Sequence, residues 1–271
     1  MNMYKQELRN HFKAMVGWTC AMTAIALIYC LFYPMIKDQM ATFKDLISNM
    51  NPGMLSALGV SGGSSGVAAM LTSITGFFSF VFTFSLLCAA IQAMNLGIGI
   101  LSKEERERTA DFLMTKPVSR SRIFTVKLLT ALTVFVISDA VFTLLCGLLL
   151  PVIAGESLVM TQFLLMCLSL LLVQGMFFAL GFVLSVALKK VRAVLPISLG
   201  AVFLFYAISA FAVNSPSDKL RFLTPFQYFK GEYILEKSAY ELPYLIVCLA
   251  VIAVGAAVTY FLYKKRNIHA V

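Results

Sequence analysis

The side chains of this sequence that could do chemistry are concentrated in one charged block, residues 101–127. The block holds seven Lys/Arg and four Asp/Glu between long apolar runs. Phe112, Leu113 and Met114 form an apolar knob within it. An apolar knob on a charged helix is typical of a segment that docks into a groove on a partner protein. The alternative is a solvated loop whose charges only enforce topology, and the residues alone leave both interpretations open.

Two local signals delimit a helix inside this block. Ser102 and Glu105 have the spacing of a capping box, which predicts that a new helix starts at Ser102. Pro117 predicts the end of that helix, because the residue before a proline is disfavoured in helical dihedrals. We therefore assign the charged segment to residues 102–122.

Asp139 is the one ionisable residue deep inside an apolar run. A charged carboxylate at the bilayer centre costs about 2.5–3.5 kcal/mol on insertion scales, so this side chain should face protein or water. It is either a gating or pathway residue or a carboxyl bonded to Ser or Thr on neighbouring helices. Gln92, Asn95 and Gln174 lie in other apolar runs, where such residues more often bond helices together than bind substrate. These four residues form a possible polar site within the membrane.

The sequence contains no recognisable catalytic, cofactor-binding or metal-binding set. His11 and His269 lie near the chain ends without other ligands around them. The six cysteines fall inside apolar runs without metal-ligand spacing, and we expect them to pack as free thiols. The sequence also lacks the G-x-x-x-x-G-K-[ST] pattern of a phosphate-binding loop. We therefore expect no enzyme activity in this chain.

The composition is that of a membrane protein. The chain is 60% hydrophobic and 13% charged, with a mean hydropathy of +0.86. A soluble domain carries about 25% charged residues. The net charge of +9 then reflects the Lys and Arg that gather on the cytoplasmic side of membrane proteins, and it does not indicate a nucleic-acid partner.

Apolar length predicts an all-α polytopic fold. Residues 1–13 place Tyr4, Leu8 and Phe12 at helical spacing beside basic residues, which predicts an interfacial helix. Residues 214–241 are too polar to span and rich in aromatic residues, which predicts short re-entrant helices in the outer headgroup layer. A spanning helix needs roughly 20 apolar residues. Six stretches are long enough, at about 14–36, 73–101, 128–153, 161–188, 193–213 and 242–263.

The distribution of basic residues predicts the orientation. With both termini inside, the inner segments hold 16 Lys/Arg and the outer segments hold the other six. Cytoplasmic loops carry the excess of Lys and Arg. Both termini and the charged segment should therefore be cytoplasmic.

Several stretches, in their order along the chain, resemble the permease subunits of ABC transporters of the ABC-2 class. NPGMLSALG (51–59) is similar to the family's outer segment before span two. LRFLTPFQYF (220–229) is similar to the segment before the last span, with Thr224 where the family has Ser. After span two the family has an acidic residue, a Thr, one or two Leu, Pro-Val-Ser-Arg and a Lys that enters span three. The matching residues are Glu105 or Glu107, Thr109, Leu113, Pro117-Val118-Ser119-Arg120 and Lys127.

The resemblance covers essentially the whole chain and implies a machine of several subunits. Two permease subunits, a second copy or a close paralogue, would pair with two ABC ATPase subunits, which would carry the ATP and Mg²⁺. Residues 103–115 would form the main coupling helix that contacts the ATPase, and the turn 189–192 a smaller contact. The residues implied in coupling are Glu105, Glu107, Thr109, Phe112, Leu113, Pro117, Arg120, Lys189, Lys190 and Arg192.

The expected function is ATP-driven export across the inner (plasma) membrane of a bacterium. Aromatic outer segments and apolar spans favour an amphipathic peptide or a lipophilic compound as substrate. One alternative is an ion-coupled secondary transporter or channel that uses Asp139. Another is a membrane anchor for a signalling or assembly complex that transports nothing. An ATPase that co-purifies with the chain would favour the exporter over both.

Overall fold

The computed structural model describes residues 3–39, 73–106, 119–188, 193–213 and 218–265, apart from the side chains of 103–106, 120, 213, 218–219 and 264–265. Within these ranges every regular element is helical. The α-helices are α1 (Met3–Leu31), α2 (Tyr33–Asp38), α3 (Ile74–Arg106), α4 (Arg120–Ala154), α5 (Met160–Ala187), α6 (Val194–Val213), α7 (Gly231–Lys237) and α8 (Leu242–Lys265).

Six of the described helical segments are long and apolar enough to cross a membrane. The prediction of an all-α protein with six spans is therefore confirmed. Each segment contains a strongly apolar stretch of 18 residues. That length is close to what a helix needs to cross a bilayer. The segments are 3–38, 74–102, 121–154, 160–187, 194–212 and 242–263.

The first span and the N-terminal segment form one helix. Residues 3–31 continue through position 13 without a break, so the structure shows no separate interfacial helix before the span. Near the start of this helix, the Tyr4 hydroxyl lies 2.8 Å from Thr133 Oγ1 on α4. The N-terminal turns of α1 therefore lie against α4, and this end of the molecule is called the N-terminal end below.

The predicted helix start at Ser102 is wrong. Helix α3 runs through this residue and continues to Arg106. The Ser102 side chain is buried, and its hydroxyl donates to the Ile98 carbonyl at 2.6 Å. A serine inside a helix often bonds back to the carbonyl four residues earlier, so the same residue type that caps a helix can also lie within one.

Helices α3 and α5 form the centre of the bundle, and two glycines allow them to touch backbone to backbone. A Cβ atom at Gly97 would lie 2.6 Å from the Phe178 carbonyl oxygen. A Cβ atom at Gly181 would lie 2.7 Å from the Met94 carbonyl oxygen. Small residues permit this approach in membranes, where close packing drives helix association. Gly97 and Gly181 thus let the backbones of α3 and α5 approach each other closely.

The remaining spans surround this central pair. Helix α8 packs on α5, and a Cβ atom at Gly255 would lie 2.8 Å from Ala179 Cβ. Helix α1 packs on α3 and α4, while α6 packs on α3. Helices α6 and α8 are the least buried of the six spans. Their outward faces are therefore open to lipid or to another protein subunit.

The segment between α6 and α8 consists of short helices at the end of the bundle opposite the N-terminal end, called the far end below. It contains 3₁₀ turns at Asp218–Leu223 and Pro225–Gln227, followed by α7. Short helices were predicted here, and the structure confirms them. Phe226, Tyr228 and Phe229 are buried in the core, however, so they do not form an outward aromatic belt. Contacts with neighbouring helices, such as the Phe177–Phe226 ring contact at 5.1 Å, turn them inward.

Candidate functional site

The residues predicted to contact an ATPase mostly fall outside the described residues. Their side chains therefore carry no geometric argument. The described structure does show that α3 ends and α4 begins at the N-terminal end, on either side of residues 107–118. Glu105 and Arg120 belong to these two helices, but their side chains are not described. The residues outside the described ranges are Glu107, Thr109, Phe112, Leu113, Pro117, Lys189, Lys190 and Arg192.

Asp139 and Gln174 lie together between α4 and α5. Asp139 is 7% exposed and Gln174 is fully buried. The Gln174 amide lies beside the Asp139 carboxyl, but the two groups stop short of hydrogen-bond geometry. Within the described part of the chain Asp139 takes part in no ion pair. The structure thus brings together two of the four predicted polar residues and gives Asp139 an amide neighbour.

Gln92 joins this region to α3. Its Nε2 donates to Ser138 Oγ at 3.3 Å, and Ser138 directly precedes Asp139 on α4. Gln92 Oε1 is buried and has no partner among the described residues. A buried polar atom without a partner costs about 1–3 kcal/mol, which makes it a candidate contact for a bound molecule.

Gln92 and Asn95 line a cavity of about 200 Å³ in the half of the bundle nearest the N-terminal end. Ligand pockets that enclose a drug-sized molecule measure about 300–1,000 Å³, so this cavity could hold only part of such a molecule. Its wall combines polar and apolar side chains from α1, α3, α4 and α6. The lining residues are His11, Ala14, Met15, Trp18, Gln92, Asn95, Leu96, Gly99, Val134 and Val194.

A second cavity of about 50 Å³ lies at the far end, beside α7. Gln227 lines it and donates to Ser209 Oγ at 2.8 Å. Glu232 also lines it, and its Oε1 is buried without a partner among the described residues. Burial raises the pKa of the Glu232 carboxyl to about 7, although Lys230 opposes that rise. The Glu232 carboxyl therefore changes its charge near neutral pH at the far end of the bundle.

One buried charged pair, Glu7 with Lys127, was not predicted from the sequence. Lys127 was noted only as part of the family resemblance, and Glu7 was not singled out. The structure buries both and places Lys127 Nζ 3.9 Å from Glu7 Oε1. The sequence offered one indication of this pair, because Glu7 is the only acidic residue among the first thirteen.

Asp139→Asn tests whether the charge of this residue is needed. Because Asn has the size and polarity to keep the contact with Gln174, we expect expression, assembly and transport close to those of the unchanged chain. Expression, size-exclusion profile and transport into vesicles would be measured together. A well-assembled Asp139→Asn variant without transport would contradict this expectation and favour the ion-coupled alternative.

The described residues contain no group of three or more His, Cys, Asp or Glu that could hold a metal ion. The six cysteines are free thiols; Cys20 is exposed and Cys88 half-buried, and the other four are buried.

Comparison with known proteins identifies the family. No curated protein sequence is similar enough to count as a match. The family model described as "ABC-2 family transporter protein" matches residues 1–268, nearly the whole chain. This match agrees with the six membrane-spanning helices and with the cavity between them. The chain therefore belongs to the ABC-2 transporter family, whose members are membrane components of ABC transporters.

Proposed function

We propose that this chain is the membrane-spanning permease subunit of an ATP-driven exporter of amphipathic peptides or lipophilic compounds. Membership of the ABC-2 family is the observation that carries the proposal. The cavity of about 200 Å³ that Gln92 lines, called the inner cavity below, supports this substrate class. Gln92 and Asn95 line the same space as Trp18 and Leu96. A site with both polar and apolar walls suits a molecule with both kinds of surface.

The energy would come from a separate subunit. ATP and Mg²⁺ would bind to two ABC ATPase chains, and a second copy of this chain or a close paralogue would complete the membrane unit. Residues 103–115 would contact the ATPase, with 189–192 as a second contact. The flanking helices support the assignment, since the described parts of α3, α4, α5 and α6 all begin or end at the N-terminal end of the bundle.

The proposal is tested by co-purification and reconstitution. The tagged chain should co-purify with an ABC ATPase, and the complex in lipid vesicles should transport a fluorescent lipophilic dye or an amphipathic peptide only when ATP is supplied. A complex in which the ATPase carries an inactive catalytic site is the matched control. Transport driven by an ion gradient without ATP would support the alternative centred on Asp139. An associated ATPase without any transport would support the alternative that the chain is a membrane anchor for a signalling or assembly complex.

A labelling experiment tests the proposed topology. Single cysteines at Ser64 and Ser217 should react in whole cells with a thiol reagent that cannot cross the membrane. A cysteine at Ser119, whose side chain is exposed, should react only after the membrane is opened. The positive-inside rule is the reason, because basic residues gather on the cytoplasmic side. The parent chain, with its native cysteines, gives the background, and the reverse labelling pattern would invert the topology.

A further inference from the structure

Lys127 is a fully buried cation at the N-terminal end of the bundle. Its Nζ donates to the Ile100 carbonyl of α3 and lies 3.9 Å from Glu7 Oε1 of α1. A buried charge is costly unless it is paired and hydrogen-bonded. One side chain of α4 therefore contacts both α1 and α3 at this end.

Glu7 is the acidic partner, and it is also buried. Its other carboxylate oxygen, Oε2, lies 3.8 Å from His11 Nε2, one turn further along α1. The Tyr4 hydroxyl lies 2.8 Å from Thr133 Oγ1. Two polar contacts thus join the first turns of α1 to α4, one between Glu7 and Lys127 and one between Tyr4 and Thr133.

The charged pair lies near the ends of two spans. Lys127 follows the first residue of α4, Arg120, by seven residues, and Ile100 precedes the last residue of α3, Arg106, by six. At 1.5 Å per residue both separations are about 10 Å, or roughly two helical turns. A helix is stiff over two turns, so a displacement of either helix end reaches the charged pair.

The other side of the pair leads to the inner cavity. His11, Met15 and Trp18 of α1 line that cavity, and so does Gly99 of α3, next to Ile100. A shift of α1 relative to α3 would therefore change the shape of the cavity wall. The Glu7–Lys127 pair therefore lies between the ends of α3 and α4 and the wall of the inner cavity.

We propose that Glu7 and Lys127 are positioning residues that fix α1 to the ends of α3 and α4, so that movement imposed on those ends is transmitted to the inner cavity. The proposal rests on the proposed ATP-driven transport. Apolar side chains could hold α1 as strongly, since replacing a buried ion pair by apolar residues is often neutral or stabilising. A charged pair with a backbone hydrogen bond also specifies the register of α1, which apolar contacts do less well.

Three variants separate positioning from simple stability. Lys127→Met and Glu7→Gln each remove one charge, and Glu7→Gln/Lys127→Met removes both. Each single variant should melt at a lower temperature, because it disrupts a buried pair. The double variant should recover most of that loss. Lys13→Met, which removes an exposed lysine from the same helix, is the control and should behave like the unchanged chain.

The decisive readout is transport per ATP hydrolysed by the reconstituted complex. The double variant should assemble and hydrolyse ATP, yet its transport per ATP should be at least about fivefold lower, the lower end of typical coupling between sites. Spin labels at Asn10 and Arg122, both exposed, should show a broader distance distribution in the double variant than in the unchanged chain. That measurement uses a cysteine-free background and the permease chain alone.

Two results would overturn the proposal. One is a double variant that recovers both its melting temperature and its transport per ATP, since the pair would then only stabilise. The other is an unchanged distance distribution between Asn10 and Arg122. If the unchanged chain shows no ATP-dependent transport, the proposed function fails, and the distance measurement still decides whether the pair positions α1.

Discussion

Gly181→Ala should destabilise the bundle strongly, although alanine is the better helix former. The new Cβ atom would lie 2.7 Å from the Met94 carbonyl oxygen and 3.2 Å from the Ile98 backbone nitrogen. These are backbone atoms of α3, so no side chain can rotate out of the way. Overpacking of this kind costs about 1–3 kcal/mol and occasionally more. The gain in helix propensity is only about 1 kcal/mol.

Gly200→Ala is the matched control. A Cβ atom at Gly200 on α6 would meet nothing within 4 Å, so the same substitution should leave the melting temperature unchanged or raise it. Gly97→Ala should repeat the effect of Gly181→Ala, because its Cβ atom would lie 2.6 Å from the Phe178 carbonyl oxygen. Thermal unfolding in detergent, followed by size exclusion, measures all three. Equal melting temperatures for Gly181→Ala and Gly200→Ala would contradict the close contact between α3 and α5.

Phe112→Ala should weaken the attachment of the ATPase and leave the six-span fold intact. The prediction follows from the apolar knob Phe112-Leu113-Met114 in a charged segment, and it assumes that the knob occupies a groove on the ATPase. Truncation of a buried aromatic anchor at an interface can cost about 2 kcal/mol or more. That energy corresponds to roughly 30-fold weaker binding. Co-purification and substrate-stimulated ATP hydrolysis measure the effect.

Charge reversal gives a second test of the same contact. Glu105→Lys should also weaken the complex, and the loss should depend on salt if basic residues of the ATPase face this position. Phe261→Ala is the control, since Phe261 on α8 is 62% exposed on the outer surface of the bundle. If Phe112→Ala and Glu105→Lys both leave binding and stimulation unchanged, residues 103–115 are not the coupling helix.

Some tertiary contacts could be anticipated from residue types and others could not. A glycine within a span, such as Gly181, is typical of a close helix contact, because small residues are common at such contacts in membranes. The identity of its neighbour, the backbone of Met94 and Ile98, became known only from the structure. Likewise, the cost of a charge in the membrane predicted that Asp139 faces protein or water, and the structure placed it beside Gln174.

Helix boundaries at the N-terminal end were the least predictable feature. Ser102 and Glu105 have the spacing of a capping box, yet Ser102 bonds back to Ile98 inside α3. The first thirteen residues resemble an interfacial helix, yet Tyr4 contacts Thr133 and Glu7 is buried. In both cases a local pattern fits two structures, and packing against neighbouring helices selects one of them.

The sequence by itself determined the class of the protein, its six spans and its family resemblance. Each span depends on the apolar length of its own residues, because the transfer of a helix into lipid is a property of that segment alone. The tertiary structure decided which faces meet: Gly97 and Gly181 at the α3–α5 contact, Gln92 and Asn95 at the cavity, and Glu7 with Lys127. These contacts join residues far apart along the chain. Their energy depends on how the helices are arranged around one another, which no single segment specifies.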